Sequence, residues 1–241
     1  SRYLLTCHAQ RRSYYNQTRA TFERAFREYG LPLTIRTDNG APFSSLAPGG
    51  LSVMSIWWIR LGIRPERIMP GRPDQNGQHE RMHSTLKDET VKPPRASLSA
   101  QQRAFDRFRR EYNEERPHES LNQQVPASLY KKSPRCYPKK IPDPIYPSHF
   151  RLERAYPNGV ISFNSTQWFI SGCLRGEVVG LEEVSDDRWK VYFGPIALGI
   201  LDLRSAKKRG WRQFGSLVRS DGEQPHQTRK YKRRKSNARP N

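Results

Sequence analysis

The chain has 241 residues, of which 34% are hydrophobic, and its 43 Lys and Arg exceed its 23 Asp and Glu to give a formal net charge of +20. The length suits one large domain plus a small one, and the charge predicts a polyanionic partner. The isolated Cys7, Cys136 and Cys173 indicate neither a disulfide framework nor a Cys-type zinc site, and no apolar run reaches the length of a membrane span. We therefore expect a reducing, cytoplasmic setting without a membrane partner.

The charge is unevenly distributed along the chain. Residues 1–130 carry 20 basic against 13 acidic side chains, and residues 131–155 carry 7 against 2. Residues 156–205 reverse the sign with 4 against 6, and residues 206–241 return to 12 against 2. We expect the connecting segment and the tail to make the strongest contacts with a polyanion.

The first third of the chain has the pattern of an α/β layer. Residues 3–7 predict a strand, and residues 17–29 predict a helix that ends at Gly30. Residues 33–36 predict a short buried strand, and residues 51–61 predict a helix followed by an extended stretch at Ile63. The order strand, helix, strand is typical of an α/β domain.

The middle of the chain predicts a mobile loop followed by two helices. Pro, Gly and Asn exclude regular structure over residues 70–77, and a polar helix follows over about residues 78–89. Residues 99–115 predict a further helix with Phe105, Phe108 and Tyr112 on one side.

The last part of the chain changes character. Five prolines within residues 133–147 predict a stiff, extended linker, and short strands between residues 160 and 201 predict a small β-barrel. Residues 221–241 have almost no apolar content and predict a disordered basic tail. We interpret Trp57, Trp58, Trp168 and Trp189 as core residues.

Two carboxylates are presented in a way that suits metal binding. Asp38 ends a predicted strand and is followed by Asn39 and Gly40, and Glu80 lies on a helix that follows the Pro/Gly loop. Carboxylate oxygens are the ligands that Mg²⁺ requires, and two such ions about 3.5–4 Å apart catalyse phosphodiester transfer. Asp-Asn-Gly is also a common hairpin turn, so this motif alone leaves the chemistry open.

Several ordered motifs resemble one family. They are Ile35-Arg36-Thr37-Asp38-Asn39-Gly40, the run from Pro73-Asp74-Gln75-Asn76-Gly77 through Glu80 to Lys87, Tyr112-Asn113, Arg116 to Leu121, Pro126-Ala127 and Tyr130. Together they resemble the catalytic core of bacterial insertion-sequence transposases related to retroviral integrases. The resemblance implies a partial RNase H-like α/β core over residues 1–130, a basic linker over 131–155, a small SH3-like barrel over 156–205 and a basic tail over 206–241.

The resemblance also implies an Asp-Asp-Glu triad that binds two Mg²⁺ or Mn²⁺ ions and cleaves and joins DNA ends. Asp38 matches the second acid and Glu80 the third. The family's first acid would precede Ser1, and the acids before Asp38 are Glu23 and Glu28, both on a predicted helix. We therefore expect that this chain is truncated and cannot cleave DNA alone.

The implied partners are DNA, as transposon ends and target, and further copies of the protein in a dimer or larger assembly on the bacterial nucleoid. His83 and Lys87 share a helix face with Glu80, and we expect both to contact DNA together with Gln75 and Asn76 of the loop. The basic tail is expected to contact DNA without sequence preference through Arg229, Lys230, Lys232, Arg233, Arg234 and Lys235.

Two alternatives remain open at this stage. His79-Glu80-Arg81-Met82-His83 matches the His-Glu-x-x-His signature of zinc proteases, in which the two His bind zinc and the Glu is the base. His118 and Glu119 would be the candidates for a third ligand. A DNA-binding protein derived from a transposase, without catalysis, would also explain the absence of a first acid.

Overall fold

The computed structural model describes residues 1–10, 14–38, 40–43, 45, 47–68, 77–209 and 212–218. The helices of these residues are α1 (Tyr15–Tyr29), α2 (Val53–Arg60), α3 (Gly77–Thr90), α4 (Leu98–Arg110) and α5 (Pro126–Leu129). The strands are β1 (Thr34–Thr37), β2 (Arg64–Arg67), β3 (Arg151–Arg154), β4 (Val160–Phe163), β5 (Thr166–Phe169), β6 (Val178–Ser185), β7 (Arg188–Phe193), β8 (Ile196–Asp202), β9 (Lys207–Arg209) and β10 (Arg212–Ser216).

The first half of the chain is a mixed helix and sheet layer, as predicted. Strands β1 and β2 pair in parallel, with Thr34 opposite Arg64 and Thr37 opposite Arg67. The predicted burial of the first strand is wrong, since its residues are at most half-buried and the preceding Leu33 is 75% exposed.

Helix α2 lies at the centre of the molecule. It begins with a capping box, in which the Ser52 hydroxyl accepts from the Ser55 amide and the Ser55 hydroxyl accepts from the Ser52 amide. On one side, Trp57 and Trp58 pack with α1 and the residues around β1. On the other, Ile56 joins the core of the strand-rich half, so a single short helix is shared by two hydrophobic clusters.

The strand predicted at residues 3–7 is not formed. Side chains of the α4 region replace a neighbouring strand as its hydrogen-bond partners: the Asn113 side-chain oxygen accepts from the Leu4 amide at 2.8 Å, and its nitrogen donates to the Leu4 carbonyl at 3.0 Å. Gln102 donates to the Cys7 carbonyl, and Arg109 donates to the Leu5 carbonyl. Residues 3–7 are therefore held by side chains and not by a strand ladder.

The helix predicted over residues 99–115 is divided in two. Helix α4 begins after Ser97, whose hydroxyl accepts from the Ala100 amide, and a π-helical turn follows it over Glu111–Glu115. Phe108 and Tyr112 are buried as the pattern predicts.

The predicted stiff linker is docked on the helical half. Arg135 donates to the carbonyls of Pro32, Leu61 and Gly62 at 2.8–2.9 Å. The Leu31 amide in turn donates to the Arg135 carbonyl at 2.7 Å. No helix or strand forms over residues 131–150, and these hydrogen bonds hold the segment against the helical half.

A closed SH3-like barrel is not confirmed in the strand-rich half. The described strands form two four-stranded sheets in the orders β4-β5-β10-β9 and β3-β6-β7-β8. Neighbours are antiparallel except for β5 and β10. A single bridge between Ile200 and Val218 connects the sheets, where a barrel would have a continuous ladder.

The core of this half is formed by both sheets together with α2. Trp168 is fully buried, as predicted, and its indole nitrogen donates to the Phe163 carbonyl. Trp189 is only partly buried and packs edge-on against Phe163. Trp57 and Trp58 belong to the other core cluster and are also buried. Three of the four predicted core tryptophans are therefore buried, and Trp189 packs against the core while partly exposed.

Within the residues that the structure describes, no helix combines the length and the apolar composition needed to cross a membrane. The predicted mobile loop over residues 70–76 and the predicted disordered tail lie outside those residues.

Candidate active site

Asp38 follows β1 directly and is exposed, as the sequence predicts. Its Oδ1 accepts a hydrogen bond from the Gly40 amide at 3.1 Å. Within the described ranges its carboxylate forms no ion pair with a basic side chain. The side chain is thus held by the Gly40 amide and remains accessible to a cation.

Glu80 lies in the first turn of α3, where the helix dipole stabilises a negative charge. Its side chain is exposed and forms no ion pair with another described residue. The described residues contain no group of three or more His, Cys, Asp or Glu that could hold a metal ion. Neither Asp38 nor Glu80 therefore belongs to such a group, and their role as metal ligands stays a prediction.

His83 and Lys87 continue the face of α3 that begins at Glu80, because spacings of three and seven residues return to one side of a helix. The rings of His79 and His83 are 4.2 Å apart. Burial lowers the pKa of His83 below its usual 6.5, and the neighbouring His79 and Lys87 lower it further. His83 therefore favours its neutral form, and Lys87 supplies the positive charge of this face.

A zinc-protease site would need a third ligand beside His79 and His83, and the described part of the chain supplies none. The ring of His118 packs against Tyr112 with 4.7 Å between the ring centroids, and burial lowers its pKa. His79 and His83 thus remain a pair on an exposed helix face.

Other predicted site residues lie outside the described part of the chain. These are Gln75 and Asn76 of the loop, and Arg229, Lys230, Lys232, Arg233, Arg234 and Lys235 of the tail.

Sequence reasoning did not identify a row of exposed arginines on α4, formed by Arg103, Arg107 and Arg110. Their spacing of four and three residues was visible in the sequence. Which face of the helix points outward was not, because it depends on the contacts that α4 makes with residues 5–9.

Comparison with known proteins finds matches to parts of the chain. Residues 61–126 match the family model described as an integrase core domain. The chain is 32% identical over 111 residues to a 31.7 kDa protein of insertion element IS407 from Burkholderia multivorans, covering 46% of this chain and 38% of the relative. It is 35% identical over 101 residues to a 39.2 kDa protein of insertion element IS476 from Xanthomonas euvesicatoria, covering 42% of this chain and 28% of the relative.

The integrase core match and the two partial matches to insertion-element proteins support the predicted family, bacterial insertion-sequence transposases related to integrases. The predicted family and the mixed α/β class with an integrase core are thereby confirmed. The matched residues contain β2, α3 and α4, so Glu80 lies inside the integrase core match and Asp38 precedes it.

The chain spans less than two fifths of the length of either insertion-element relative. A solved structure of similar shape is a simian T-cell lymphotropic virus intasome in complex with the PP2A regulatory subunit B56 gamma. The similarity has a TM-score of 0.40 and 18% identity, and covers 78% of this chain and 65% of that one.

Proposed function

We propose that this chain is part of a DNA transposase that hydrolyses and rejoins phosphodiester bonds at the ends of an insertion element. The observation that carries the proposal is the integrase core match over residues 61–126, which contains Glu80. Asp38 supports it, because it follows β1, the parallel neighbour of β2 within that match.

The chemistry of the two carboxylates fits a divalent metal. Both are exposed, and neither is neutralised by a basic side chain among the described residues. Hard oxygen ligands of this kind suit Mg²⁺ or Mn²⁺, and two such ions in a complete site would stabilise the charge on the attacking and leaving oxygens. Asp38 and Glu80 would hold these ions from the end of β1 and the first turn of α3.

A complete triad requires a carboxylate that this chain does not supply. The acids that precede Asp38 are Glu23 and Glu28 on α1, and Glu23 is ion-paired with Arg27 at 2.7 Å. We infer that the 241-residue chain binds metal weakly and does not cleave DNA by itself.

The remaining residues of the site would position DNA. Lys87 and neutral His83 share a helix face with Glu80, where a cation and a ring N–H can both contact phosphate oxygens. Gln75, Asn76 and the tail cluster would add contacts to the same duplex. Such a protein would act as a dimer or larger assembly on the nucleoid, in the cytoplasm.

Manganese binding measured by electron paramagnetic resonance tests the two carboxylates. We expect Asp38→Asn and Glu80→Gln each to weaken binding at least fivefold, while Glu114→Gln, an exposed carboxylate beyond α4, leaves it unchanged. If Asp38→Asn and Glu80→Gln bind manganese as tightly as the parent chain, these two carboxylates do not hold the metal.

A plasmid-nicking assay tests the incomplete triad. The purified chain is expected to leave supercoiled DNA intact in the presence of Mg²⁺. Nicking that Asp38→Asn abolishes would show that the chain carries a complete site and that the assignment of the triad is wrong.

A second candidate function is DNA binding without catalysis, favoured by the absence, among the described residues, of any group of three His, Cys, Asp or Glu that could hold a metal ion. Tight duplex binding combined with an absence of manganese binding would support this alternative.

A further inference from the structure

Helix α4 presents a row of three exposed arginines on the side opposite its buried residues. At 100° per residue, Arg103, Arg107 and Arg110 fall within about 60° of one another, and the buried Phe108 lies on the other side. None of the three guanidinium groups forms an ion pair with another residue that the structure describes. We call these three side chains the α4 arginine row.

The other long polar side chains of α4 are used within the fold. Gln101 donates to the Thr90 carbonyl, and Gln102 donates to the Cys7 carbonyl and to Asp106. Arg109 donates to the Leu5 carbonyl and to the Tyr29 hydroxyl. Hydrogen bonds within the protein therefore explain the positions of these neighbouring polar side chains. They do not explain why three arginines point to solvent.

The helix dipole explains why arginine is favourable at only two of the three positions of the row. Arg107 and Arg110 lie in the last turn of α4, where a positive charge is stabilising. Arg103 lies in the middle of the helix, outside the range of that effect. Glu111 and Glu114 follow the row, and neither forms an ion pair with it among the described residues. Asp106, the acidic residue between Arg103 and Arg107, accepts a hydrogen bond from Gln102 and forms no ion pair with the row among the described residues, so the three arginines leave this face with a net positive charge.

We propose that the α4 arginine row binds the phosphate backbone of duplex DNA. At 1.5 Å per residue, the row extends about 10 Å, which matches the axial rise of about three nucleotides of one strand. Guanidinium groups match phosphate oxygens in geometry and charge. Leu98, the exposed large hydrophobic residue of α4, lies more than 120° around the helix from Arg103, so the row lacks the apolar centre of a protein interface.

This site rests on the proposed function, because it takes the DNA of the transposase as its ligand. It adds a surface to the face formed by Glu80, His83 and Lys87 on α3, the helix that packs against α4. Contacts of this kind fix the position of a duplex and carry no sequence preference.

The test is duplex binding by the whole chain, measured by fluorescence anisotropy on a labelled 30-base-pair duplex at several KCl concentrations. The variant Arg103→Gln/Arg107→Gln/Arg110→Gln removes the row. We expect its affinity at about 0.1 M salt to fall at least tenfold, and the slope of log K against log salt to become less negative by about 2–3, since each phosphate contact contributes about 0.9.

The matched control removes the same charge from the strand-rich half. The control variant is Arg175→Gln/Arg188→Gln/Lys190→Gln, whose three positions lie in a segment with more acidic than basic side chains. We expect its affinity for the duplex to stay within twofold of that of the parent chain. A thermal melt of each variant checks that folding is retained. The triple Arg→Lys variant of the row should keep the salt slope, because lysine retains the charge.

The outcomes separate this site from the proposed function. If the parent chain shows no salt-dependent duplex binding, the proposed function and the site are both wrong. If the parent chain binds and the row variant has the same affinity and slope, only the site is wrong. Equal losses in the row variant and the control would likewise overturn it, because they would reflect net charge rather than a surface.

Discussion

Arg60 at the end of α2 joins the two halves of the molecule through Glu177, with Arg60 Nη1 3.2 Å from Glu177 Oε1. Its Nη2 lies 3.3 Å from Asp143 Oδ1 and donates to the Ile141 carbonyl, and its Nε donates to the Pro142 carbonyl. One guanidinium thus contacts both the docked segment and the strand-rich half. We infer that it helps to fix their relative position.

Arg60→Gln should lower the free energy of unfolding by about 1–3 kcal/mol, because it removes charged hydrogen bonds and leaves a half-buried carboxylate without its cation. The measurement is urea denaturation at neutral pH. Arg64→Gln is the control, since its ion pair with Glu66 is exposed and should contribute less than about 1 kcal/mol. If Arg64→Gln lost as much unfolding free energy as Arg60→Gln, the contacts of Arg60 with Glu177 and Asp143 would not be the cause.

Glu177→Gln should change how stability depends on pH. Burial raises the pKa of Glu177 above its ordinary 4.5, against the opposing effect of Arg60. A folded-state pKa above the unfolded value means that the folded protein binds more protons in the interval between them, so stability falls as pH rises through it. Relative to the parent chain, the Gln variant should therefore gain stability as the pH rises above 4.5.

Urea titrations between pH 4 and pH 8 measure this difference. The gain should appear at the low end of that range and level off once Glu177 is ionised in both states. A difference that stays constant across the range would show that the pKa of Glu177 is not raised by folding.

The sequence predicted much of this fold because helical spacing and turn residues act locally. The pattern of residues 51–61 gave α2 and the burial of its tryptophans. The docking of Arg135 could not be predicted, because its partners are the carbonyls of Pro32, Leu61 and Gly62, which come together only in the folded chain. Residues 3–7 likewise show that an extended pattern does not specify what satisfies its backbone.

The candidate site was predicted from motifs rather than from periodicity. Asp38 and Glu80 were chosen for their places after a predicted strand and on a predicted helix, and the resemblance gave them their roles. Both are exposed, directly after β1 and in the first turn of α3. Their role as metal ligands stays a prediction. The α4 arginine row carries no motif, and its outward direction depends on Gln102 and Arg109 being held by residues 5–7.

Gly215→Ala should destabilise the strand-rich half. Gly215 lies opposite Trp168 in the pairing of β10 with β5, and an added methyl group would overlap the fully buried Trp168 ring. Forcing the ring to move should cost about 1–3 kcal/mol of unfolding free energy, measured by urea denaturation. Gly172→Ala is the control because an added methyl group there meets no atom within 4 Å. Similar losses for both variants would exclude overlap with Trp168 as the cause.

Cys7 and Cys136 should differ in reactivity. Burial raises the pKa of Cys7 from 9.0 to about 11, with Arg109 lowering it and Asp106 raising it to smaller extents. At pH 8 its thiolate fraction would be about one in a thousand, against roughly one in four for a free thiol of pKa near 8.5. Iodoacetamide should therefore modify the exposed Cys136 at least tenfold faster than Cys7, as followed by peptide mass spectrometry. In urea the two rates should converge, because unfolding removes the burial that raises the pKa; a difference that persisted there would have to come from local sequence instead.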